Sequence, residues 1–138
     1  MTNEPTPQLP LLYKELVPLN SRQHGGWRSR TTEKATWLAK QHAIPLTVDE
    51  FAQAQRHFPI IFSAGPNAVP LALMGLDQGV NVFVGDDGAF LDQVYIPAYA
   101  RRYPFLLARL PGENGDLSLC LDPTTDLVGE FVDGVPLF

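Results

Sequence analysis

YIPAYARRYPFLLARL, Tyr95 to Leu110, is the stretch on which the fold turns. Its first half reads as a short helix. Pro97 fits a first turn, where its missing N–H costs nothing. A helix over about 96–103 sets Ile96, Tyr99 and Tyr103 on one face with Ala100 beside them, and it turns Arg101 and Arg102 away from that face. Pro104 ends the helix, because the residue before a proline is pushed out of the α region. FLLARL then reads as a strand, PGENGD as a hairpin-type loop, and LSLCLD as the returning antiparallel strand. A helix feeding a hairpin predicts a mixed fold.

Upstream, LTVDEFAQAQRHF carries the clearest helix signal. Thr47 and Glu50 have the spacing of a capping box, and Val48, Phe51, Ala52 and Gln55 fall along one face with Ala54 at its flank. Pro59 stops it. PIIFSA and LALMGL read as strands around the GPNAVP turn. VNVFVG reads as a third strand, with Val80, Val82 and Val84 on one side, before a turn at Asp86, Asp87 and Gly88. TTEKATWLAKQHA predicts a helical turn around Trp37 and Leu38. LLYKELVPL, bracketed by Pro10 and Pro18, predicts an extended segment or edge strand, and NSRQHGGWRSR a loop. The expectation is one α+β domain: a mostly antiparallel sheet of about five strands with two or three short helices. It spans 11–122, after a flexible arm at 1–10 and before an acidic, turn-rich segment at 123–138 that reads as the start of a further C-terminal region.

Composition narrows the function classes. Ten Lys+Arg against fifteen Asp+Glu give a net charge of -5, a field that repels a phosphate backbone, so no nucleic-acid partner is expected. Only Arg28 with Arg30, and Arg101 with Arg102, cluster. Cys120 is the one cysteine and alternates as a strand residue, so it reads as a buried, inert thiol. No apolar run approaches the roughly 18 residues of a membrane span, and the first residues do not resemble a secretory signal. The cytoplasm is the expected location.

The motifs taken together, LLYKELVPLNSRQH, IPLTVDEFAQAQRHFPIIF, VPLALMGL, VNVFVGDDGAFL, YIPAYARRYPFLLA and LCLD, closely resemble the bacterial SapC family from about Leu11 to Asp122. Members of that family are typically longer, so the resemblance implies the N-terminal portion of one. A surface-layer or envelope role follows from the family's name alone, and a permease label borne by some members conflicts with the lack of a span. The resemblance implies no catalytic residue and no cofactor.

Among individual residues, Arg101 and Arg102 offer guanidiniums for a carboxylate or phosphate, with Tyr95 and Tyr99 supplying hydroxyls or stacking faces. The competing reading pairs them with Asp86, Asp87 or Asp92 on a solvated face. Adjacent helix positions are about 100° apart, so the two do not easily converge on one small ligand. His24 lies in a Gly-flanked loop beside Asn20, Arg22 and Trp27, where an imidazole either shuttles a proton or caps the chain. Neither His42 nor His57 pairs with it at metal-site spacing, GDDGAF lacks a calcium loop's alternating ligands, and no nucleophile motif is present; no metal site and no catalytic set are expected. Trp27 and Trp37 read equally as partner anchors or core.

These residues suggest a non-enzymatic binding module meeting a protein partner or a missing C-terminal region. The alternatives are an enzyme or accessory that handles a small anionic ligand with His24 and Arg101 or Arg102, and the envelope role.

Overall fold

In the computed structural model the described residues are 8–110 and 114–138. Most of the arm expected at 1–10 and part of the PGENGD loop lie outside them. The chain divides into two compact units, Met1–Thr31 with Tyr103–Phe138, and Thr32–Arg102.

The first unit holds two antiparallel sheets. In one, β1 (Val17–Pro18) and β6 (Phe105–Arg109) flank β7 (Leu117–Leu121) in the order β1-β7-β6. The β6–β7 hairpin pairs Leu106 with Cys120 and Leu107 with Leu119, as the alternation in FLLARL and LSLCLD predicts. Val17 pairs with Leu121, which places LLYKELVPL at the sheet edge as expected. Cys120 and Leu121 are buried, and Tyr13 packs edge-on against Tyr103 with its hydroxyl donating to the Phe105 carbonyl. In the other sheet, β8 (Val128–Gly129) and β9 (Val135–Pro136) flank β2 (Arg28–Ser29). So 123–138 supplies two strands that pair with the N-terminal part of the chain.

The segment NSRQHGG, expected as a loop, contains a helical turn, α1 (Ser21–His24). The cause is a cap: Asn20 Oδ1 accepts from the Gln23 N–H at 2.9 Å, and Asn20 Nδ2 donates to Gln23 Oε1. Asparagine followed three residues later by glutamine is an N-terminal capping pattern, and the Gly25-Gly26 pair obscured it.

The second unit is built on β3 (Ala43–Pro45), β4 (Ile60–Phe62) and β5 (Pro70–Leu73), ordered β3-β5-β4 and antiparallel throughout. A 3-10 turn at Thr36–Leu38 forms where TTEKATWLAKQHA predicts one. The capping box at Thr47 and Glu50 opens a 3-10 turn (Val48–Glu50) that continues as α2 (Phe51–Ala54). Its inward face differs from expectation: Glu50, Ala54 and Phe58 are buried, whereas Val48, Ala52 and Gln55 are exposed. Opening with a tighter helix of three residues per turn shifts the phase of the stripe. A last helical turn, α3 (Ala98–Arg101), follows Pro97 and turns Arg101 and Arg102 outward, as expected.

Three small sheets replace the single five-stranded sheet expected. Prolines bound several of the sheets, although Pro70 opens the central strand β5. Pro18, Pro45 and Pro136 stand in the edge strands β1, β3 and β9, and a proline cannot donate to a further ladder. VNVFVG does not form a strand either, and among the described residues its one ladder contact is the bridge between Val84 and Phe90. Asn81 turns inward instead. Its Nδ2 donates to the Leu38 carbonyl at 3.1 Å and its Oδ1 accepts from Phe83 N–H at 2.9 Å, a local bond that competes with a ladder. The Asp86–Gly88 turn is present, with Gly88 at φ +83°.

Candidate functional site

The residues singled out at the sequence level fall into two groups, one in each unit. In the second unit, Tyr95, Tyr99, Arg101 and Arg102 lie on and just before α3, and their geometry is set from below by a carboxylate the sequence did not flag as functional. Glu50 is 7 % exposed. Its Oε2 closes the capping box, accepting from Thr47 N–H at 2.9 Å and the Thr47 hydroxyl at 3.1 Å. Its Oε1 accepts from the Ala98 N–H at 2.6 Å, one of the free donors that open α3, and from the Tyr95 hydroxyl at 2.8 Å. Burial pushes the Glu50 carboxyl up, but these bonds to its charged form outweigh it and hold the group below the ordinary carboxylate value.

Tyr95 therefore has its proton committed to Glu50, which leaves its oxygen as an acceptor. Arg101 Nη2 donates to that oxygen at 3.2 Å. Burial first, then the adjacent Glu50 charge, raises the Tyr95 phenol above its usual value, so the ring remains a neutral hydroxyl. The Arg101 guanidinium carbon lies 5.5 Å from the Tyr95 ring centroid, and that of Arg102 lies 4.1 Å from the Tyr99 centroid, both within cation–π range. Arg102 reaches its ring by the i, i+3 spacing of one helical turn.

The carboxylates weighed as partners for these arginines are largely engaged elsewhere. Lys40 Nζ is 3.3 Å from Asp86 and Lys34 Nζ is 3.5 Å from Asp87. Among the described residues of this unit, neither Arg101 nor Arg102 has a carboxylate oxygen within 4.0 Å. The chemistry on offer is two exposed guanidiniums, each within cation–π range of a tyrosine ring, with Arg101 giving one N–H to Tyr95 and the other N–H groups placed to meet an anion. A shallow open depression lined by Glu33, Lys34, Ala89, Phe90, Asp92 and Gln93 also lies in this unit, with its charged lining residues facing solvent.

In the first unit, Asn20, His24 and Trp27 do come together, and they do so as local structure. His24 is 5 % exposed. Its Nδ1 accepts from the Asn20 N–H at 3.1 Å, and its ring meets the Trp27 ring edge-on at 4.7 Å between centroids. The acceptor role of Nδ1 closes the α1 turn, which is the capping use of this histidine.

Asp122, missed in the sequence, is the first unit's counterpart to Glu50. It is fully buried and accepts from Lys14 N–H at 2.8 Å, Thr124 N–H at 2.9 Å, the Thr124 hydroxyl at 2.6 Å and the Tyr103 hydroxyl at 3.4 Å. Burial raises its pKa, and the hydrogen bonds overcome that and leave it depressed. It ties the N-terminal segment to the end of β7. Asp122-Pro123-Thr124 is a local turn signal, and the bonds to Thr124 follow from it; the distant bonds to Lys14 and Tyr103 had no local mark.

Among the described residues, no group of three His, Cys, Asp or Glu side chains is placed to hold a metal ion, and no helix is long and apolar enough to cross a membrane. No curated protein and no solved structure matches the chain. One family model does, SapC, over residues 19–138, a span that starts inside the first motif of the resemblance at Leu19, holds the other motifs whole and extends through 123–138. Because that match covers most of its length, the chain belongs to the SapC family.

Proposed function

We propose that this SapC-family chain is a non-enzymatic binding module of the cytoplasm, and that α3 with Tyr95, Tyr99, Arg101 and Arg102 is the element that meets a partner protein. The observation that carries the reading is the state of the two guanidiniums. They are exposed, each lies within cation–π range of a tyrosine ring, and two of the acids weighed as their partners, Asp86 and Asp87, are paired with lysines. An arginine braced on a ring has already given up part of its rotamer freedom, so less is lost when it binds. Arginine and tyrosine are also among the residues, with tryptophan, most enriched where protein interfaces gain their binding energy.

The reading is tested by capturing partners from an extract of the native host with the full chain and, in parallel, with an Arg101→Ala/Arg102→Ala variant. A specific partner is expected with the native chain and at least tenfold less of it with the variant, since loss of two charged contacts costs more than about 2 kcal/mol. The variant gives up two exposed cation–π contacts of about 0.5–1 kcal/mol each, so its stability should fall by no more than about 2 kcal/mol and the chain should stay folded. A partner retained equally by the variant overturns the assignment to α3.

A further inference from the structure

The two guanidiniums do not share a support. Arg101 leans on Tyr95, which precedes α3, and is held there by a hydrogen bond to a hydroxyl that Glu50 fixes from beneath. Arg102 lies across Tyr99, within α3. Consecutive helix positions diverge by about 100°, and separate rings hold that divergence in place. A single phosphate or carboxylate can take the fork of one arginine, and the separate supports favour one anion for each guanidinium over one shared between them.

The charge of the whole chain sets a second limit. At net -5, the chain as a whole repels a long polyanion. What fits is a ligand with few charges, spaced to meet two separate forks and otherwise neutral. Resting on the reading of α3 as the recognition element, we propose that its ligand is a segment of a partner protein bearing two carboxylates, from Asp or Glu, one for each guanidinium. Glu50 is then a positioning residue, acting on the ligand only through Tyr95 and Arg101.

The experiment is an NMR titration of the full chain at pH 6, following the backbone amides and side-chain Nε–H signals of Arg101 and Arg102. The probes are acetylated, amidated Ser/Ala peptides carrying two aspartates separated by zero to four residues, the single-aspartate and all-asparagine versions, inorganic phosphate, and an oligothymidylate. The expected result is that one or two spacings bind at least tenfold more tightly than the single-aspartate peptide, shifting both arginine signals together. An Arg101→Lys/Arg102→Lys variant keeps the charge without the fork and should lose most of that preference. Equal binding of phosphate or of one carboxylate identifies a small-anion site and overturns the inference, as does preferential binding of the oligothymidylate. If no peptide binds while partner capture still depends on the arginines, the two-carboxylate ligand falls and the recognition element stands. If capture does not depend on them, the recognition element itself is refuted.

Discussion

Replacing Asp122 by alanine is expected to remove about 3 kcal/mol of stability, a drop of roughly 1.5 M in urea midpoint. Its carboxylate accepts from Lys14, Thr124 twice, and Tyr103, and all of it is buried, so truncation leaves several donors facing an apolar gap. An Asp122→Asn variant keeps one acceptor oxygen but turns an NH2 towards donors, and should fall between the two. The pH dependence has a definite sign. The folded pKa is depressed, so the contribution is complete above the unfolded value of about 3.9 and is lost as pH falls through the lower folded one. The native and Asp122→Ala chains should therefore converge in stability only under strong acid. A loss under about 1 kcal/mol at pH 7 would mean that water replaces the carboxylate, and that Asp122 is no tie.

Glu50→Ala comes next, with an expected loss of about 2–3 kcal/mol at pH 7. It removes a helix cap and the acceptor for Tyr95 and Ala98 at once. The sign of the pH effect is the same: the depressed folded pKa gives stability that is present above about 4.3 and lost as pH falls below it. The stability loss alone would fit a purely structural residue. The distinguishing readout is the Tyr95 ring and the Arg101 Nε–H signal, which should move in a Glu50→Gln variant while those of Arg28 and Arg30 stay put. Unchanged Arg101 signals would remove Glu50 from any role in positioning the site.

What could be read from the chain beforehand was largely local. The Thr47–Glu50 box, the β6–β7 hairpin, the edge placement of Val17–Pro18 and the outward turn of Arg101 and Arg102 each depend on residues close in sequence or on simple alternation. The misses were of another kind. Asn81 gave up a strand position for a bond to a carbonyl 43 residues away, a partner that period-two patterning cannot represent. Three sheets formed in place of one, and the prolines in the chain did not show beforehand which strands pairing would leave at an edge. In the candidate site, Tyr95, Tyr99, Arg101 and Arg102 were visible as residue types. Their supports were not, because Glu50 carried a complete local explanation as a cap and gave no sign of a second one.

That double use has a consequence for the order in which the chain acquires its structure. One oxygen of Glu50 is satisfied within four residues, by a contact any short fragment can form; the other bonds to groups 45 and 48 positions downstream. Local contacts close early, and distant ones wait on loop closure. Until Tyr95 and Ala98 arrive, the nascent cap holds a carboxylate with one side still open to water, and their docking both desolvates it and starts the last helix. The arginine-bearing turn is thus completed by a residue made 48 positions earlier, about a third of the chain, so a product cut off before residue 98 carries the cap without the turn that its second oxygen holds.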